Sequence, residues 1–573
     1  MPKILPRLFG LVSIAAASLV AVPAAAQNGL SGSYLAARHA SYQSDYKAAA
    51  QYYTQALARD PSNAELMENA LLAFVGLGQL DKALPIARRL EQLGVENQAA
   101  NLMLMADQIK RGAFQQVLDD LEAGRNVGAL VQGLTTAWSE FGAGRMSDAI
   151  KAFEAVEADG GLEMFGVYHK AMALAAVGDF ESAAQLLKSE AGQPIRLTRR
   201  GVLAEVQILS QLERNDEAIT LLEELFGLES DPGISALRER LAAGEALPFT
   251  SVRSAQDGVA EVFFTLASAL NGEANDTYTL MYARAAEYLR PAHVDALLLS
   301  AGLLENQELY DLANETYLRV PADDPGFYAA ELGRSNTLEA SGKPDAAIEV
   351  LTQLSKNHPD VALVHSMLGD SLSREQRFGE AVKAYDKAIG LFDADERRQW
   401  VVYYARGIAH EREKIWPRAE ADFRKALALE PDQPNVLNYL GYSFVEMRLN
   451  LDEALSMIER AVAARPDSGY IVDSLGWVLY RLGRYQEAVP HMERAAELEP
   501  IDPIVNNHLG DVLWAVGRYR EAEFQWKRAL SFVDPDDIPD ELNPDRIRRK
   551  IEVGLSKVLE EEGAEPLAVA EGE

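Results

Sequence analysis

The second half of the chain repeats one pattern of apolar and polar positions. Apolar residues recur at i, i+3, i+4 and i+7, which is the spacing of an amphipathic α-helix with one buried face. These helical stretches come in pairs, and short polar turns separate the two members of each pair. The pattern predicts an all-α chain that is built from antiparallel helix pairs.

Small residues give the pairs a fixed period. Gly407, Gly441, Gly476 and Gly510 are 34, 35 and 34 residues apart, and each lies midway along an apolar stretch. Small residues let two helix backbones approach closely, and a proline ends the second helix. Because one pair cannot bury its apolar face alone, consecutive pairs must stack. The recurring alanines are Ala419, Ala454, Ala488 and Ala522, then Ala426, Ala461, Ala495 and Ala529, and the prolines are Pro431, Pro466 and Pro500.

This period resembles the tetratricopeptide repeat, whose unit has about 34 residues. The stretches "NYLGYSFVEMRLNLDEALSMIERAVAARP" and "VDSLGWVLYRLGRYQEAVPHMERAAELEP" carry the small, aromatic and proline positions of the repeat together. Weaker copies begin at "YLAARHASYQSDYKAAAQYYTQALARDP", and we count roughly 13 or 14 units up to residue 536. The resemblance implies a right-handed superhelical solenoid with a capping helix at its C-terminal end.

Two stretches interrupt the repeats. The first, "GLESDPGISALRERLAAGEALPFTSVRSAQDG", breaks the rhythm and is interpreted as an irregular linker. The second, "NPDRIRRKIEVGLSKVLEE", predicts one final helix with Asn543 as its cap and Pro544 at its first position. We expect this helix to cover the exposed end of the last repeat. The resulting division is 1–26 signal peptide, 27–232 degenerate repeats, 233–254 linker, 255–536 C-terminal repeats, and 537–573 capping helix and acidic tail.

The beginning of the chain has the form of a secretory signal peptide. Lys3 and Arg7 precede a short apolar core, and Ala24, Ala25 and Ala26 form a small-residue cleavage site. The apolar core is short for a bilayer-spanning helix, and no later apolar run is long enough, so we expect no transmembrane segment after cleavage. Gln27 follows the cleavage site where a lipoprotein would carry cysteine. These features predict a periplasmic protein.

Composition narrows the function. The net charge is -32 and the chain has no cysteine. Such an acidic chain does not suit nucleic-acid backbones or anionic lipid surfaces. The eight histidines show no zinc-binding spacing, and no nucleophile elbow or phosphate loop appears. We therefore expect no enzymatic activity, no metal and no cofactor; an active site within the irregular stretch 227–256 is the alternative.

The resemblance also implies a binding surface. In tetratricopeptide repeats, the first helix of each pair lines an inner face on which ligand peptides lie. Aromatic side chains on this face can bury side chains of an extended peptide, and amides and carboxylates can bond its backbone. The alternative is that the aromatics pack against the neighbouring repeat. The residues predicted to form this surface are Tyr404, Asn438, Tyr442, Asp473, Trp477, Tyr480, Asn507, Asp511 and Trp514.

A narrower resemblance concerns the partner. The run Asn438–Ala522 is similar to bacterial envelope adaptors that partner a carboxy-terminal processing protease. That similarity implies a non-enzymatic scaffold that brings the protease to cell-wall hydrolases. Those adaptors are lipid-anchored, whereas this chain lacks the cysteine that an anchor needs. The alternative function is a chaperone or assembly factor for exported proteins or polysaccharide, using the same surface.

Overall fold

A computed structural model describes residues 30–192, 198–226, 232–535, 538–539 and 541–567. The signal-peptide prediction and the end of the acidic tail lie outside these ranges. Every element within them is a helix, and the described residues contain no strand. The all-α prediction is therefore confirmed. The chain divides into two compact units, with the boundary between Val350 and Leu351.

Unit 1 contains the degenerate repeats and several helix pairs beyond the predicted linker. Side chains at helix starts, such as Asp45, Asn63 and Asn97, accept hydrogen bonds from backbone N–H groups of the first turn. The helices are α1 (Leu30–Tyr42), α2 (Tyr46–Leu57), α3 (Ala64–Gly76), α4 (Leu80–Gln92), α5 (Gln98–Lys110), α6 (Phe114–Glu122), α7 (Ala129–Gly142), α8 (Met146–Glu157), α9 (Glu163–Ala176), α10 (Phe180–Leu187), α11 (Arg199–Gln211), α12 (Asn215–Phe226), α13 (Pro232–Ala242), α14 (Ala255–Leu270), α15 (Asp276–Leu289), α16 (Val294–Asn306), α17 (Tyr310–Tyr317) and α18 (Phe327–Ala340).

The unit boundary falls within α19 (Pro344–Asn357). Unit 2 then contains five consecutive helix pairs and two short helices at its end. A 3-10 turn at Arg397–Gln399 leads into the second pair. The helices are α20 (Ala362–Arg374), α21 (Phe378–Gly390), α22 (Trp400–Arg412), α23 (Trp416–Leu429), α24 (Pro434–Met447), α25 (Leu451–Ala464), α26 (Gly469–Arg481), α27 (Tyr485–Leu498), α28 (Pro503–Ala515), α29 (Tyr519–Ser531), α30 (Pro544–Val553) and α31 (Leu555–Glu561).

The pair α14 and α15 fills a face of unit 1. It packs against α3, α5, α7 and α9, which are the first helices of four consecutive pairs. Gly258 of α14 lies directly against the Trp138 ring, and the Tyr168 hydroxyl donates to Glu261 Oε1 at 2.8 Å. The face that a peptide would occupy in a tetratricopeptide solenoid is therefore occupied here by the chain itself.

A buried ion cluster fixes α14 in this position. Arg200 Nη2 lies 2.9 Å from Glu261 Oε2, and His293 Nε2 lies 3.3 Å from the same oxygen. Burial disfavours the charged carboxylate, but the opposite charge of Arg200 and the bond to His293 hold the pKa of Glu261 well below its usual value. The cluster joins α11, α14 and the start of α16 into one core.

The described part of the stretch predicted as an irregular linker, from residue 232 onward, is a structured part of unit 1. It contains α13 and continues as an extended strap whose Leu247 and Val252 side chains are buried. Gln207 Oε1 accepts hydrogen bonds from the Thr250 and Ser251 backbone N–H groups at 2.9 and 3.1 Å. Because an extended strap has no backbone partners of its own, these side-chain bonds are what allow it to pack.

The final helix predicted from the sequence is two helices. Gly554 separates α30 from α31 and has a φ of +83°. A Cβ atom at this position would lie 2.2 Å from Cη2 of Trp514. The chain therefore turns at Gly554 because only a residue without a side chain fits over the indole ring at this φ.

The contact between α14 and the first helices of unit 1 gives a stability prediction. A Cβ at Gly258 would lie 2.2 Å from Trp138 Cδ2, so Gly258→Ala should lower the free energy of unfolding by about 1–3 kcal/mol. Gly302→Ala is the matched control, because a Cβ there meets no atom within 4 Å in the middle of α16. The control should raise stability by about 0.5–1 kcal/mol. Urea unfolding followed by circular dichroism measures both, and equal effects would contradict the packing.

Candidate partner-binding surface

The nine predicted binding residues lie on the first helices of four consecutive pairs in unit 2. Tyr404 is on α22, and Asn438 and Tyr442 are on α24. Helices α26 and α28 each contribute three more. We call the face formed by these four helices and α20 the inner surface of unit 2. The α26 residues are Asp473, Trp477 and Tyr480, and the α28 residues are Asn507, Asp511 and Trp514.

Trp477 is the centre of an aromatic stack. Its ring is stacked on His508 of α28 at a centroid distance of 3.9 Å and on Tyr480 at 4.8 Å. Its indole N–H donates to Glu446 Oε1 of α24 at 2.8 Å. These contacts link three consecutive helix pairs, and Trp477 is only 8% exposed.

His508 of this stack also forms a buried pair with Asp473. His508 Nδ1 lies 2.9 Å from Asp473 Oδ2. Burial opposes protonation of the imidazole, but the Asp473 carboxylate overcomes this and raises the pKa of His508 above its usual value. The other oxygen, Asp473 Oδ1, is buried and receives no hydrogen bond from the described residues.

Asn507 and Asp511 bind a lysine from the end of the chain. Lys550 of α30 is fully buried, and its amino group lies 2.9 Å from Asn507 Oδ1 and 2.6 and 2.7 Å from the two Asp511 oxygens. Trp526 of α29 also donates to Asp511 Oδ1 at 2.8 Å. The negative charge of Asp511 on this surface is thus neutralised by a lysine of the same chain.

Further contacts place the end of the chain along the same surface. Glu541 Oε2 accepts from the Tyr442 hydroxyl at 3.2 Å, and Trp514 Nε1 donates to Ser556 Oγ at 3.0 Å. Burial, assisted by the Glu541 carboxylate, raises the pKa of Tyr442 well above its usual value. We call the described residues 538–539 and 541–563 the C-terminal segment. Its buried apolar residues are Leu542, Ile547, Leu555 and Val558.

The remaining predicted residues lie further along the inner surface. Tyr404 packs edge-on against Tyr439 at a centroid distance of 5.9 Å and lies 6.0 Å from Phe423. Asn438 is partly buried, and its Oδ1 receives no hydrogen bond from the described residues. The structure therefore brings the α26 and α28 residues together and leaves Tyr404 in a separate aromatic cluster.

A cavity of about 840 Å³ remains open at the α20 and α22 end of the inner surface. Side chains of both first helices line it, including Ser373, Ile408 and Glu411. Ile538 and Pro539 of the C-terminal segment form its border on one side. The cavity thus lies beside the first residues of the C-terminal segment.

Sequence reasoning missed two residues that this surface depends on. His508 was not predicted as a member, although its ring stacks on Trp477. Lys550 was counted only as part of a capping helix. One signal was present, because Lys550 follows Ile547 by three residues and therefore shares its apolar face. Its carboxylate partner is 39 residues away, and nothing local identifies it.

Two properties of the described residues bear on other functions. No group of three or more histidine or acidic side chains in these ranges has an arrangement that holds a metal ion. Among the helices of the same ranges, none combines the length and the apolar character that crossing a bilayer requires.

Comparison with known proteins identifies the repeats. A family model described as tetratricopeptide repeat matches residues 34–95, 332–396, 404–469, 440–497 and 474–536. These ranges of the chain therefore match the tetratricopeptide repeat. The prediction of this repeat class is confirmed.

Individual relatives match parts of the chain. The TPR repeat-containing protein PA4667 of Pseudomonas aeruginosa is 29% identical over 198 residues, which are 34% of this chain and 32% of that relative. The chain thus matches about a third of the length of this relative. The crystal structure of MamA is 22% identical with a TM-score of 0.27, covering 29% of this chain and 94% of MamA. The Cut9–Hcn1 hetero-tetramer structure is 16% identical with a TM-score of 0.36, covering 92% and 96%.

The Asp473–His508 pair predicts a pH dependence of stability. Because the pKa of His508 is raised on folding, the pair stabilises the protein fully below the unfolded value of about 6.5. This contribution is lost as the pH rises through the higher folded value. The advantage of the unmodified chain over His508→Gln in urea unfolding should therefore shrink between about pH 6 and pH 9.

His169 supplies the control for this measurement. Burial lowers the pKa of His169 to about 4, so its imidazole is neutral across the same range. The effect of His169→Gln should therefore not vary above about pH 7. A constant difference between the unmodified chain and His508→Gln over the whole range would contradict the ion pair.

Proposed function

We propose that this protein is a non-enzymatic scaffold of the bacterial periplasm that recruits a carboxy-terminal processing protease to cell-wall hydrolases. The observation that carries the proposal is the open cavity on the inner surface of unit 2, lined by the first helices of adjacent tetratricopeptide repeats. A partner binds there through a segment of its chain.

The chemistry of the cavity suits a peptide. Ile408 and Phe378 offer apolar contact for side chains, while Ser373 and Glu411 offer hydrogen-bonding groups for a backbone. Such a mixture favours a protein segment over a charged polymer, because acidic and basic side chains both line the cavity. Its charged members are Asp370, Arg374, Glu411, Arg412 and Lys414.

Unit 2 is favoured over unit 1 for a physical reason. In unit 1 the first helices α3, α5, α7 and α9 are covered by α14 and α15, whose ion cluster is buried. A partner would have to displace a central part of the core there. In unit 2 the first helices α20 and α22 keep an open cavity.

Two sequence features support the envelope role. The first residues have the form of a secretory signal peptide. The run Asn438–Ala522 is similar to envelope adaptors that partner a carboxy-terminal processing protease. The anionic surface, with a net charge of -32, suits a protein that stays away from anionic lipid and engages other proteins.

Affinity capture from an envelope extract tests the proposal. The immobilised chain should retain a protease and a cell-wall hydrolase, and Ile408→Lys in the cavity should reduce that capture about tenfold, since it places a charge among apolar contacts. Phe524→Lys is the matched control, because Phe524 is an exposed aromatic outside the inner surface. This control should capture as the unmodified chain does.

Three results would count against the proposal. Recovery of neither a protease nor a cell-wall enzyme would exclude the adaptor role. Equal loss of capture in Ile408→Lys and Phe524→Lys would exclude the cavity. Many unrelated chains held with similar weak affinity would instead favour a chaperone that uses the same surface.

A further inference from the structure

The C-terminal segment covers the part of the inner surface that the sequence assigns to a partner. Its residues contact Tyr442 on α24, Asn507 and Asp511 on α28, and the Trp514 ring. Contacts that run across several repeats are what a bound ligand makes. An end cap would need contacts with the last pair alone.

We propose that the C-terminal segment is an internal ligand of the inner surface of unit 2. A partner segment of the same chemistry, an amphipathic helix with a lysine on its apolar face, competes with it for this surface. The inference rests on the proposed function, because it specifies which kind of segment the scaffold binds and what controls access to it.

The charge of the segment matches the surface it covers. Helix α30 has the sequence PDRIRRKIEV, which places four basic residues among ten in a chain whose net charge is -32. Lys550 inserts its amino group between Asn507 and Asp511, and Arg546 lies 3.9 Å from Asp511. The Lys550 ammonium group is bonded to three acceptor oxygens, and an apolar replacement would deprive the buried Asp511 carboxylate of its nearest counter-charge.

The helices of the C-terminal segment are too short to be stable by themselves. Its helices have 10 and 7 residues, and isolated helices of this length are marginal in water. Their order therefore depends on the surface beneath them. Between α29 and α30, the described residues 532–535, 538–539 and 541–543 are not helical.

The C-terminal segment lies next to the open cavity, so a partner bound in the cavity can meet the segment. Ile538 and Pro539 of the segment border the cavity that Ser373 and Ile408 line. A partner that enters the cavity and extends toward α26 and α28 meets the segment at this border. Binding of the longer partner then requires release of Lys550 from Asp511.

A fluorescein-labelled peptide of residues 541–563 tests this inference on the full-length chain. Unmodified protein should bind the peptide weakly, because its own segment occupies the surface. Ile547→Asp in the chain loosens that segment without changing the surface, and should bind the peptide at least about tenfold more tightly in fluorescence anisotropy. The same peptide carrying Lys550→Met should lose about tenfold of this affinity.

Arg548→Ala is the matched control within the same helix. Its side chain is 61% exposed and pairs with Asp545, so peptide binding should equal that of the unmodified chain. Leu542→Ala provides a milder second variant, and its gain in peptide binding should be smaller but in the same direction. Circular dichroism of each variant measures whether the repeats remain folded.

Two outcomes would overturn the inference. One is that folded Ile547→Asp and Leu542→Ala chains bind no more peptide than the unmodified protein. The other is that Ile547→Asp unfolds the repeats and Leu542→Ala shows no gain, which would make the segment a structural cap. Because the peptide comes from the chain itself, either outcome leaves the capture of partners through the cavity separately testable.

Discussion

The structure depends on one close contact that recurs within the helix pairs of unit 2. A glycine on the first helix lies against a large side chain on the second, and no Cβ atom would fit between them. A Cβ would lie 2.6 Å from Phe423 at Gly407, 2.8 Å from Ile458 at Gly441, 2.3 Å from Met492 at Gly476 and 2.4 Å from Trp526 at Gly510. This contact sets the distance between paired helices, so every later contact between pairs depends on it.

A second constraint follows from stacking. Aligned first helices create a long concave face of aromatic and polar groups, and such a face must be covered or used. Unit 1 covers it with α14 and α15 and fixes them through the Arg200 and Glu261 pair. Unit 2 covers part of it with the C-terminal segment and leaves a cavity beside α20 and α22. The two units therefore differ in what their inner faces offer to a partner.

The sequence left open whether the aromatics contact the next repeat or a partner. Trp477 contacts the next repeat through His508, and Trp514 contacts the C-terminal segment through Ser556 and Gly554. Their place on the first helices could be predicted because the resemblance to tetratricopeptide repeats implies which positions face inward. What covers them could not, because Lys550 and Glu541 belong to a stretch outside the period.

Local patterns in the sequence determined the helix pairs, their period and the class of the repeat. Helical spacing, small residues and helix-ending prolines act over a few turns, so one sequence contains all that is needed to recognise them. Tertiary structure alone decided the strap that follows α13, the break at Gly554 and the cover on each inner face. These depend on contacts between residues as far apart as Tyr168 and Glu261, which lie 93 positions from each other. Such contacts form only when the helix pairs stack in three dimensions, and no repeated pattern in the sequence indicates them.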